Sequence, residues 1–109
     1  MRRRITEMIQ MARQMRSHEI SDEVMYLWLC GIEYRVLYEV MESEPVELLG
    51  SEVLVGPPHD DIYWTYLVSM MDFAAGDMQA YAQSSALAER AWKRFVQCYH
   101  GKKYSCTKQ

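Results

Sequence analysis

The residues able to do chemistry in this chain are few and scattered. There are three histidines, His18, His59 and His100, and all fall at predicted helix ends or connectors. None stands four residues from another His, or at ligand spacing from a Cys or carboxylate. His59-Asp60-Asp61 is the one local grouping of imidazole with carboxylates. A metal would need more ligands than that single turn supplies, so Asp60 is read as a helix N-cap. Asp72 and Asp77 flank a predicted turn and are read as a helix-end interaction and an N-cap. No Gly-rich phosphate loop, Gly-x-Ser-x-Gly elbow or Cys/His dyad is present in the sequence. The expectation is a protein that is not an enzyme and takes no cofactor or metal.

Composition narrows the class further. At 109 residues, half of them hydrophobic, the chain is expected to be one folded domain over 1–109. The net charge of −3 argues against a whole-surface nucleic-acid binder. Arg2, Arg3 and Arg4 form a basic cluster, read first as a solvated end and only last as a nucleic-acid contact. No apolar run approaches the roughly 18 residues of a membrane span, and no signal-peptide segment is visible. A cytoplasmic protein is expected, with Cys30, Cys98 and Cys106 as free thiols. Nine Met, eight Tyr and three Trp exceed what a core this small can hold. Self-association through the surplus is the expected consequence.

The elements that must position these residues centre on 60–100. Gly76 can adopt the left-handed conformation that ends a helix, and Asp77 can cap the next. The pair predicts an antiparallel helical hairpin. On its second arm Met78, Tyr81, Ser85, Ala88, Trp92, Phe95 and Tyr99 recur at three and four, one helical stripe. Leu87, Ala91 and Cys98 widen it. The first arm answers with Tyr63, Tyr66, Leu67, Met70 and Ala74, with Ile62 and Phe73 alongside. These residues are read as core, Trp92 above all.

Earlier in the chain, Ile5, Met8, Ile9, Ala12 and Met15 mark a first helix. Ser21 caps a second, with Asp22 and Glu23 in the dipole-favoured first turn. Met25, Trp28, Leu29, Ile32, Val36 and Val40 form one apolar side of it. Tyr26, Cys30, Tyr34, Leu37 and Met41 form another, which suggests core on one face and a second subunit on the other. Gly31 weakens this helix by about 1 kcal/mol relative to Ala and is read as a close-packing position. From about 43 to 59 the periodicity breaks at Pro45, Gly50, Gly56, Pro57 and Pro58. Val53, Leu54 and Val55 within it read as an extended arm lying on a neighbour. After Tyr99 a basic tail, about 101–109, is expected to be disordered. Its Lys102, Lys103 and Tyr104 are candidate partner contacts. The fold class is all-α: about four helices built on a C-terminal antiparallel hairpin, with a long loop before it.

Some of these residues also carry a resemblance. Glu52-Val53-Leu54-Val55-Gly56-Pro57-Pro58-His59-Asp60-Asp61-Ile62-Tyr63 is followed by Met71-Asp72-Phe73-Ala74-Ala75-Gly76-Asp77, Tyr81 and the late Ala91-Trp92 pair. With Ser21-Asp22-Glu23 and Trp28-Leu29 upstream, the pattern resembles head-tail connector (head completion adaptor) proteins. These belong to tailed phages and prophages of Gram-positive anaerobes. The likeness spans about residues 5 to 100. It departs at His59 and Met78, where that family usually has Tyr. The resemblance implies a structural virion protein that forms a ring, commonly dodecameric, on the portal protein. Such a ring extends the DNA channel and receives the next neck protein, with DNA only as passing cargo. It implies assembly in the host cytoplasm and residence in the virion neck. A charge of −3 per chain over about twelve copies gives about −36, a wall along which DNA slides without sticking. The alternative from a different class is a small bacterial helical-hairpin module that binds other proteins.

Overall fold

Helix α1 spans Ile5–Met15 and buries Ile5, Met8, Ile9 and Ala12, the stripe its spacing predicts. The structure is a computed structural model and describes residues 2–17, 19–41 and 52–105, side chains as far as residue 101. Met15 ends the stripe exposed. Helix α2, Asp22–Arg35, starts where Ser21 Oγ accepts from the Val24 amide at 3.2 Å. Met25, Leu29 and Ile32 face the core, and Trp28 packs half-buried against it.

At Val36 the helix widens into a π turn, Val36–Val40, with the Met41 amide donating to the Val36 carbonyl at 2.9 Å. The reason lies in the apolar spacing. Ile32, Val36 and Val40 recur at four, and on an α-helix each such step drifts round by about 40°. The wider turn takes up the drift, and all three side chains stay buried.

The segment 52–55 corrects one expectation. Val53 and Val55 do not wait for a neighbour, because both side chains are buried in this chain's own core. Glu52 forms an isolated antiparallel bridge with Arg4, and the Val53 amide donates to the Arg3 carbonyl at 3.0 Å. Period-two alternation turns both valines inward and leaves Leu54 half-buried.

Helices α3, Asp61–Ala74, and α4, Met78–Ser105, form the antiparallel hairpin and the most extensive helix–helix contact. Gly76 lies at φ +76°. Its amide donates to the Phe73 carbonyl at 3.0 Å, and the Asp77 amide to the Asp72 carbonyl at 3.1 Å. This paired closure is the Schellman motif. Asp77 Oδ1 then accepts from the Ala80 amide at 3.1 Å, so one residue closes α3 and caps α4. Asp60, by contrast, does not cap α3. Its backbone is already helical, and its carboxylate instead meets Arg3 Nε at 3.0 Å.

The buried stripe of α4 runs through Ser84, Ala91 and Phe95. Tyr81, Ser85, Trp92 and Tyr99 sit at its margin, half-buried, and Met78 is exposed. On α3 the buried set is Ile62, Tyr63, Leu67, Val68 and Met71. Met70 and Tyr66 are half-buried, while Phe73 and Ala74 are exposed. Each stripe is thus centred about one residue from the aromatic series. Ser84 and Ala91 stand in the α4 stripe beside Phe95, while the Tyr81, Trp92 and Tyr99 rings flank it. Gly31 is a further correction: it is exposed, and nothing lies within 4 Å of where its Cβ would stand. The predicted tail is also shorter than expected, since α4 runs on through 101–105. Lys has good helix propensity, and one Gly costs only about 1 kcal/mol. The rest of the tail, and the loop calls at Pro45 and Gly50, lie outside the described residues.

Candidate functional site

Two buried polar networks hold the helices in register. Glu33 is fully buried on α2. Its Oε1 accepts from the Tyr63 hydroxyl at 2.5 Å and its Oε2 from the Leu54 amide at 2.9 Å. The same hydroxyl accepts from the Val55 amide at 2.9 Å. Two amides of the 52–55 segment are therefore satisfied by α2 and α3, as buried backbone donors must be. Burial pushes the Glu33 carboxyl above the usual carboxylate range, against the opposing effect of the Tyr63 and Leu54 hydrogen bonds. Burial, then the Glu33 charge, drives the Tyr63 hydroxyl up. Perturbed groups of this kind often mark active sites. Here both carboxylate oxygens are occupied by donors, and neither Glu33 nor Tyr63 lines any of the clefts described below.

The second network joins α1 to the hairpin. Arg16 donates to Asp72 from Nε at 2.7 Å and from Nη2 at 3.1 Å, a two-pronged pair. Ser84 Oγ donates to the same fully buried carboxylate at 2.7 Å. Asp72 is thus far more than a helix-end interaction. It links α1, α3 and α4.

The other candidates for chemistry remain apart. His59 lies beside Phe95, ring centroids 6.1 Å apart, and His100 beside Tyr99 at 6.0 Å. His18 and Cys106 lie outside the described residues. Among the described residues no cluster of three or more His, Cys, Asp or Glu is arranged to hold a metal ion. Burial raises the Cys30 thiol. Arg2 and Arg3 face carboxylates of this chain, Arg2 with Glu52 at 3.6 Å and Arg3 with Glu7 at 3.7 Å. No helix of the described residues is long and apolar enough to cross a membrane.

What stands out instead is uncovered apolar surface. The outer side of α2 exposes Tyr26 (41%), Leu27 (65%) and Tyr34 (43%), and Tyr38 (57%) follows in the π turn. Tyr34 and Tyr38 stack, centroids 5.9 Å apart and planes 11° from parallel. This face runs into a groove of about 680 Å³ between α1 and α2, floored by Ile5 and Ile9 and rimmed by Arg4, Asp22 and Glu23. A second cleft, about 330 Å³, opens where α2, α3 and α4 meet. It gathers Tyr66, Met70, Tyr81 and Trp92, four of the residues assigned to the core from sequence. A third, about 200 Å³, lies between Pro57, Pro58, His59 and Tyr99. Phe73 leaves the core to lie against Tyr81 at 5.3 Å near the hairpin turn.

Of the remaining sequence candidates, Tyr63 and Phe95 are buried, while Lys102, Lys103 and Tyr104 belong to the last turns of α4. Glu33 and Leu27 are absent from the sequence-based set. Glu33 carries a readable signal: it falls four after Leu29 and so on the apolar stripe. A charge at a core position needs a partner. Neither a protein-family model, nor a curated protein, nor a solved structure matches the chain.

Proposed function

We propose that this chain is a structural assembly protein of the head-tail connector kind, one subunit of a ring seated on a phage portal. The observation that supports this most is the outer face of α2. Tyr26, Leu27, Tyr34 and Tyr38 are between 41% and 65% exposed along the outer side of the helix. Contiguous exposed apolar surface is unusual on a protein that works alone and marks contact surfaces. A ring suits such a chain, because every subunit presents one face to each neighbour. The arginine pairings with Glu52, Glu7 and Asp60 favour a structural role for Arg2 and Arg3 over nucleic-acid contact. The test is negative-stain imaging of a tailed-phage portal protein co-expressed with this chain. An added layer is expected with the wild type and its loss with Leu27→Glu/Tyr38→Glu. A portal that looks the same with and without the wild-type chain contradicts the proposal. The rival reading, a free-standing interaction module, would use the same face. Recovery of a host peptide partner and no virion protein would favour it.

A further inference from the structure

We infer that the cleft between α2, α3 and α4 is a binding site for a planar apolar group bearing a carboxylate. The proposal goes beyond the assembly role and does not depend on it. The cleft's volume of about 330 Å³ falls at the small end of ligand sites, where apolar walls and a few placed polar groups recur. Its walls are the Tyr66, Tyr81 and Trp92 rings with Met70 and Ala88. Arg35 stands at the wall with its guanidinium 4.2 Å from the centre of the Trp92 ring. A guanidinium held over an aromatic face keeps its in-plane N–H donors for a carboxylate, which it matches as a fork. Arg35 Nε is used by Glu39 at 3.2 Å, and among the described residues its two terminal nitrogens make no hydrogen bond.

Lys93 also lines the cleft, with its ammonium 3.4 Å from Glu89. Each cation is thus paired with one carboxylate, Arg35 with Glu39 and Lys93 with Glu89, so the preference for an anion rests on the Arg35 terminal nitrogens and not on a net charge of the cleft. Burial raises the Tyr66 hydroxyl, so it stays neutral and adds no negative charge to repel an anion. A planar apolar body can lie among the rings while its carboxylate meets the Arg35 fork. No covalent step is involved.

The probe is 2-naphthoate, titrated into the full chain and followed by the indole N–H resonances of its three tryptophans. Saturable movement of the Trp92 resonance is expected. 2-Naphthamide, the uncharged isostere, should bind roughly tenfold or more weakly. Arg35→Met should abolish the preference for the charged probe, and Lys93→Ala should weaken it without abolishing it. Arg35→Lys, which keeps the charge and removes the fork, should fall between, and it guards against a fold defect in the Met variant. Equal affinity for the two probes, no saturation, or an Arg35→Met variant that still prefers naphthoate would overturn the inference. None of these outcomes bears on whether the chain joins a portal.

Discussion

Tyr63 is the residue on which most of the interior depends. Its ring fills the core, and its hydroxyl takes the Val55 amide while donating to Glu33. Tyr63→Phe keeps the ring and strands both partners. Each unmet buried group costs about 1–3 kcal/mol, more when charged. Chemical denaturation should therefore show a loss of at least about 2 kcal/mol. Trp92→Ala should cost less than the roughly 3–5 kcal/mol of a fully buried ring, and Phe95→Ala should fall within that range. Equal losses at the two sites would contradict the half-buried placement of Trp92.

Glu33 gives a signed pH dependence. Its folded-state carboxyl titrates above its unfolded value because burial disfavours the charge. Protonated Glu33 therefore binds its proton more tightly in the folded protein. The resulting stability is full below the ordinary value of about 4.3 and is lost as pH rises through the folded value. Glu33→Gln removes that titration. The stability of wild type relative to Glu33→Gln should fall with rising pH across this window. A difference that is flat with pH would show that Glu33 is not perturbed.

At the scale of elements, two glycines make opposite predictions. Gly76 holds φ +76° in the turn between α3 and α4, where a side chain is strained. Gly76→Ala should destabilise by about 1–2 kcal/mol. Gly31 sits exposed inside α2 with open space at its Cβ position. Gly31→Ala should stabilise by about 0.5–1 kcal/mol. Thermal melts of the two variants should move in opposite directions.

The hairpin is the element most legible in the sequence. Gly76-Asp77 specifies its turn through a backbone requirement and a capping side chain, both local. Ser21 specifies the start of α2 in the same way. What the sequence hides is which flank of an apolar stripe meets the neighbouring helix. Periodicity identifies a helical face to within about one residue, and one residue on a helix is about 100° of rotation. That is why the spacing reads Trp92 as core and Ala91 as its flank, whereas Ala91 is fully buried and Trp92 half-buried. Val53 and Val55 mislead for another reason. Their burial depends on the Arg3 carbonyl, which takes the Val53 amide, and on Glu33, which takes the Leu54 amide from 21 positions away, and such long-range partners leave no local mark.

For the whole molecule, the buried Glu33, Tyr63 and Asp72 find partners within the chain, and an aromatic face on α2 is left exposed. The Asp72 and Glu33 networks fix the relative positions of α1, α2, α3 and the 52–55 segment. The exposed face is therefore presented by a braced scaffold, and a contact on it does not need the fold to rearrange. Leu27→Glu should leave thermal stability within about 0.5 kcal/mol, as a surface change does. It should nonetheless weaken assembly.

The most direct measurement is the mass of the portal assembly purified with and without this chain. The mass should rise by many whole multiples of 12.9 kDa, about twelve for a ring matching a dodecameric portal, and should not rise with Leu27→Glu/Tyr38→Glu. A portal whose mass is unchanged by saturating wild-type chain would contradict it.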